Sequence, residues 1–159
     1  MPRVIIDTES GEVLQKLNQG DRVLRKESSE YLSGLETIPK HETFSKLYHA
    51  IFPALLESNL TASEFIIFMH LATNLRYKSN VAKYSNGKLI TRDNIRRDLQ
   101  ISEPTVKRAI RGLITHGLLV EVSCKEGKVF VVNPYVVMVG DKVNKSMFDL
   151  FRSTKWARW

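Results

Sequence analysis

The chain has 159 residues, 43% of them hydrophobic, which suits one domain with a real core. Its 8 Gly and 5 Pro exclude collagen-like and low-complexity classes. Its 24 Lys and Arg against 17 Asp and Glu leave a formal charge of +7; such an excess favours a polyanionic partner, usually nucleic acid and less often an anionic membrane, over a basic chain that is merely soluble.

Taken in chain order, Val4-Ile5-Ile6 and Glu12-Val13-Leu14 flank "DTESG", which predicts two short strands around a turn with Gly11. The N-terminus turns acidic before any apolar run long enough for a signal peptide. Asn18 to Lys40 is polar and reads as a connector. From Thr43, the spacing of Phe44, Leu47, Tyr48, Ile51, Leu55 and Leu56 predicts an amphipathic helix. Pro53 should kink or split it, and Asn59 should end it.

"TASE" is a capping box, with Thr61 and Glu64 opening a helix that should run to about Tyr77, apolar on most sides and central to the core. Its most apolar part, Phe65 to Leu75, is far short of the roughly 20 residues that span a bilayer. A polar loop with an Asn86-Gly87 turn follows, and Lys88-Leu89-Ile90 is expected to form one strand. Thr91 caps a short helix to about Leu99, with Ile95 and Leu99 inward and Ile101 closing the turn. Ser102 caps the next helix, where Pro104 is tolerated in the first turn. Gly117 supplies a left-handed stop that lets Leu118 fold back on Leu113. "LLVEVS" and "KVFVVN" read as strands joined by "CKEG", and Asn133-Pro134 breaks the second. "YVVMVG" is expected to be extended, and Met147, Leu150 and Phe151 to lie on a final short helix.

The order from Thr61 to Asn133 is helix, short strand, helix, three-residue turn, helix, strand, tight loop, strand. That is the order of a winged helix-turn-helix, whose second helix enters the major groove while the first crosses the backbone. The expected fold class is α+β, mainly helical, with an N-terminal β-hairpin and extra flanking helices around this unit. Residues 1–40 are read as hairpin and connector, 41–60 as a helix and candidate dimerisation element, 61–133 as the DNA-binding core and 134–159 as a C-terminal extension.

Projected at about 100° per residue, Val106, Ala109, Ile110, Leu113 and Ile114 share one face of the second helix. Lys107, Arg108, Arg111 and Thr115, with Pro104, share the other, and no acid occurs from Pro104 to His116. A solvated helix face usually mixes signs, because Glu and Lys four apart support it. An all-cationic face instead suits phosphates and guanine edges, which Arg can grip with two bonds. The expected DNA contacts are Arg92 and Arg96 of the first helix, Ser102 of the turn, Pro104, Thr105, Lys107, Arg108, Arg111 and Thr115 of the second, and Lys125 and Lys128 of the wing, for which a plain solvated hairpin loop is an equal alternative. Arg92, Arg96 and Arg97 compete with a structural role, because Asp93 and Asp98 stand close enough in sequence to pair with them.

Enzyme signatures are not found. His41, His49, His70 and His116 form no His-x-His or His-Glu-x-x-His pattern, and His49 and His70 fall in apolar helical settings. Cys124 has no second cysteine for a disulfide or a zinc site, which fits a reducing cytoplasm. No glycine-rich phosphate loop and no Gly-x-Ser-x-Gly occur. A nicking enzyme could draw on Tyr77 or Tyr84, but the histidine cluster to hold its metal is missing. No catalytic residue, metal or cofactor is therefore expected. Trp156 and Trp159, beside Lys155 and Arg158, could stack on single-stranded bases; docking on the protein's own core or on a second subunit is favoured.

Three stretches resemble the RepL family, plasmid replication proteins of Gram-positive bacteria: "IIDTESGEVL", "LITRDNIRRDLQISEPTVKRAIRGLITHGLLVEV" and "VFVVNPYVVMVGDKVNKSMFDLF". Asn133 to Asp141 carries the more specific part of the likeness. The loop "KYSNGK" and the tail "TKWARW" depart from it. The resemblance implies a bacterial, plasmid- or phage-borne DNA-binding replication initiator or accessory factor, and supports Thr105, Lys107, Arg108 and Arg111 as recognition positions. The expected partners are double-stranded DNA and host replication proteins, and a second copy of the chain, because such readers commonly use paired half-sites; the Phe44 to Leu56 helix and the C-terminal segment are the candidate pairing surfaces. A winged-helix transcriptional regulator or DNA-transfer accessory factor would use the same reader.

Overall fold

The computed structural model of the chain describes residues 3–6, 13–17 and 44–157. The chain divides into two compact units, residues 1–39 and 40–159. In the first, β1 (Arg3–Ile6) and β2 (Val13–Leu17) pair antiparallel, Arg3 opposite Leu17; two paired strands are present as expected, the second running three residues past the expected Leu14. The turn with Gly11, the connector from Asn18 to Lys40 and the terminal Arg158 and Trp159 lie outside the described residues.

The second unit is α+β. Its order is β3 (Ser45–Leu47), a 3-10 turn (His49–Ile51), α1 (Phe52–Glu57), α2 (Ala62–Ala72), α3 (Arg92–Leu99), α4 (Glu103–Thr115), β4 (Leu119–Cys124), β5 (Gly127–Val132), β6 (Val137–Val139) and α5 (Lys145–Asp149). β4 and β5 form an antiparallel hairpin, and β6 returns to pair with β3, Lys46 opposite Met138. Ile67, Phe68 and Leu71 of α2 are buried in one apolar cluster with Val106, Ile110 and Leu113 of α4 and with Phe130, Val131 and Val132 of β5. Hydrophobic burial of this kind is the main favourable term in folding, and it fixes α4 against the rest of the unit.

Several elements differ from the sequence expectation. The helix expected from Phe44 to Leu56 is a strand, a 3-10 turn and a short helix in succession. Pro53 does not kink a helix; it occupies the first turn of α1, where its missing N–H is not needed. The backbone before it pairs with β6 instead. Asn59, left-handed at φ 50°, lies just past the end of α1. α2 opens with the Thr61–Glu64 capping box but ends at Ala72, short of Tyr77. It is also not apolar-buried on most sides: Phe65, Ile66 and Met69 remain 43%, 50% and 42% exposed.

The strand expected at Lys88 to Ile90 does not add to the hairpin. Leu89 bridges to Lys83, while Val81 bridges to Val131 of β5. Ala82 donates its N–H to Phe130 O at 2.9 Å, and Val132 returns one to Asn80 O at 3.1 Å. The buried Asn80 explains the placement. It is left-handed at φ 53°, and its Nδ2 donates to Val132 O at 2.9 Å and Val137 O at 2.8 Å, tying this loop to β5 and β6.

Candidate nucleic-acid interface

α3 and α4 are set by local chemistry at each end. Thr91 caps α3 in a capping box with Asn94. Gln100, left-handed at φ 54°, closes α3, and Ile101 N–H donates back to Arg96 O at 3.1 Å. The turn between the two helices is Gln100 to Ser102. Ser102 then caps α4 through Thr105 N–H at 3.4 Å, with Pro104 in the first turn. At the other end Gly117 takes φ 71°, and Leu118 N–H reaches Leu113 O at 3.0 Å, the fold-back read from the sequence.

Two side chains from later in the chain lock that end. Trp156 is 1% exposed and donates Nε1–H to His116 O at 2.7 Å. Asn133 donates Nδ2–H to Gly117 O at 2.7 Å and accepts from Tyr135 N–H at 2.9 Å. Trp156 therefore docks on its own core. Lys155 lies 4.7 Å from the centre of its ring and donates to Ser58 Oγ at 2.7 Å.

α4 has two unlike faces. Val106, Ala109, Ile110 and Leu113 are buried, whereas Pro104, Lys107, Arg108, Arg111 and Thr115 are exposed. Ile114, expected inward, is 40% exposed, because its angular position falls beside Lys107 rather than beside Ile110. The ion pairs among the described residues involve none of Lys107, Arg108 and Arg111. Thr115 Oγ1 donates to Arg111 O at 3.0 Å. Thr105 is half-buried, with its hydroxyl 2.8 Å from that of Ser102. The last three hydroxyls thus serve the helix, while the three cations face solvent.

The first helix and the hairpin flank this face differently. Arg96 and Arg97 are exposed on α3. Neither Asp93 nor Asp98 takes Arg92. Instead Arg92 pairs with Glu121 of β4 at 3.1 Å, and Lys128 of β5 reaches the same carboxylate at 3.5 Å. Asp98 faces the other way, accepting from Tyr84 and lying 3.5 Å from His70 Nε2. Burial first, and then the Asp98 carboxylate, push the Tyr84 pKa up to about 12. Lys125 is exposed at the hairpin turn, where Glu126 meets Lys83 at 3.4 Å.

Three residues in this arrangement escape sequence reasoning. Glu121 follows strand alternation like any solvent-facing acid, so only the register that sets Lys128 diagonal to it exposes its role. Asn133 was visible as a strand breaker, not as a clamp. Gly112 allows α2 to approach α4: a Cβ there would lie 1.7 Å from Glu64 Oε1. A glycine inside an otherwise well-formed helix was the available signal.

Among the described residues no group of three or more His, Cys, Asp or Glu side chains could hold a metal ion. No described helix is long and apolar enough to cross a membrane. No protein-family model, curated protein or solved structure matches the chain.

Proposed function

We propose that this chain is a sequence-specific double-stranded DNA-binding protein of the winged helix-turn-helix kind, with α4 as its recognition helix. The observation that carries the reading is the face of α4 opposite the core: Lys107, Arg108 and Arg111 are exposed together and enter no ion pair among the described residues. A helix about 10–12 Å across matches the major groove. Arg108 and Arg111 are assigned to base edges and Lys107 to a base or a phosphate. Arg96 of α3 and Lys125 of the β4–β5 wing are assigned to the backbone, which positions without reading sequence.

The resemblance to the RepL family supports a role as a replication initiator or accessory factor that binds origin repeats. Two copies on paired half-sites are part of this reading. Of the two surfaces considered for pairing, the C-terminal segment spends Phe151 and Trp156 on its own core. The other keeps Phe44, Leu47, Phe52 and Leu56 exposed, with Phe65, Ile66 and Met69 of α2 as further apolar surface.

Replication of the gene and its candidate origin in a host lacking both tests the role. An Arg108→Ala, Arg111→Ala variant is expected to lose origin binding and replication together. Normal replication without DNA binding would overturn the proposal. A footprint confined to the gene's own promoter would instead assign the chain to the regulators.

A further inference from the structure

A hollow of about 370 Å³ lies where the start of α3, the start of α4 and the hairpin meet, and Arg92, Asp93, Glu103, Glu121 and Lys128 line it. Both cations of this lining pair with Glu121. The Glu121 side chain is 17% exposed, and the same Arg92 nitrogen lies 3.1 Å from its Oε1 and 3.2 Å from its Oε2. Lys128 approaches Oε2 from the next strand at 3.5 Å. One carboxylate therefore engages two cations, 44% and 67% exposed, from two different elements. Resting on the DNA reading above, these are two of the cations that would otherwise seek phosphate.

We propose that Glu121 is an electrostatic brake on DNA binding: it occupies Arg92 and Lys128 in the free chain, and a duplex phosphate must displace it to reach them. Carboxylate and phosphate oxygens compete for the same guanidinium and ammonium donors. Asp93 and Glu103 border the same hollow and add to the potential that opposes a phosphate there. The brake leaves the exposed cations of α4 unaffected. It therefore lowers binding to any duplex, whatever its sequence. Glu121 acts through Arg92 and Lys128 and touches no DNA; it sets the overall affinity for duplex and not the choice of site.

The test is fluorescence anisotropy of the full chain on a labelled duplex of random sequence over a salt series, with thermal melts to establish folding. Glu121→Gln is expected to tighten this binding about three- to tenfold and to steepen the slope of log affinity against log salt by about one unit per phosphate gained. Glu121→Asp keeps the charge but shortens the reach, so tightening in that variant separates release of the cations from a general change in net charge. Arg92→Ala is expected to cost little in the native chain and to remove most of the gain in the Glu121→Gln background. Additive effects of Arg92→Ala and Glu121→Gln would overturn the brake, as would no tightening in Glu121→Asp. Weaker binding in both Glu121 variants would also overturn it, and would make Glu121 a support that aims the cations. Absence of binding by the native chain even at low salt would instead overturn the DNA reading on which the brake rests.

Discussion

The two arginines on the outer face of α4 bear most of the functional claim. Arg111 lies near the middle of the exposed face and Arg108 at its edge toward α2, on the Gly112 side. Arg111→Ala and Arg108→Ala are each expected to weaken specific binding by about 1–3 kcal/mol if one bidentate base contact is lost. Titration on a cognate duplex measures this, and the melting temperature should stay unchanged because both side chains are exposed. These residues were legible because helical period alone sorts α4 into two faces. Ile114 is not legible in this way, because its angle lies between the two faces and its exposure depends on what packs beside it. Tyr84 was not legible as a structural residue, because its partner Asp98 is brought in from α3 by the fold. Its raised pKa favours the neutral hydroxyl in the folded state. The stability it contributes is therefore complete below about pH 10, its unfolded value, and is lost as pH rises toward about 12. Melting across that window should fall more steeply for the native chain than for Tyr84→Phe.

At the level of elements, α4 is held from both ends and one side. Gly112→Ala would gain about 1 kcal/mol of helix propensity. It would also drive a methyl into Glu64, which is buried and caps α2 through Thr61 N–H at 2.7 Å. The collision should win, with a net loss of about 1–3 kcal/mol in chemical denaturation. Trp156→Ala removes a buried indole and the bond to His116 O, and should cost about 3–5 kcal/mol. Loss of DNA affinity beyond the unfolded fraction would show that the clamp also sets the pose of α4. Caps, the glycine stop and the hairpin were legible because each rests on neighbouring residues. β3 was not. Phe44, Leu47, Tyr48 and Ile51 satisfy a helical period, yet β6, about ninety residues later, supplies the hydrogen bonds that make 45–47 a strand. The Val81 bridge to β5 was hidden for the same reason, since it depends on a buried Asn80 that no period marks.

Within residues 44–157, α2 and α4 present unlike outward faces. The outward side of α2 carries Phe65, Ile66 and Met69, whereas that of α4 carries Lys107, Arg108 and Arg111. If the proposed pairing of two copies uses the apolar side, Ile66→Glu should shift sedimentation toward monomer at unchanged melting temperature. A native chain that is monomeric at all concentrations would remove that part of the account. With a formal charge of +7, some affinity for any duplex at low salt is expected, so weak binding alone decides little. The most direct measurement is footprinting of the native chain and the Arg108→Ala, Arg111→Ala variant on DNA flanking its own gene, at physiological salt. The native chain is expected to protect a discrete site that the folded variant no longer protects. No protection by the native chain, or protection that survives both substitutions, would contradict this expectation.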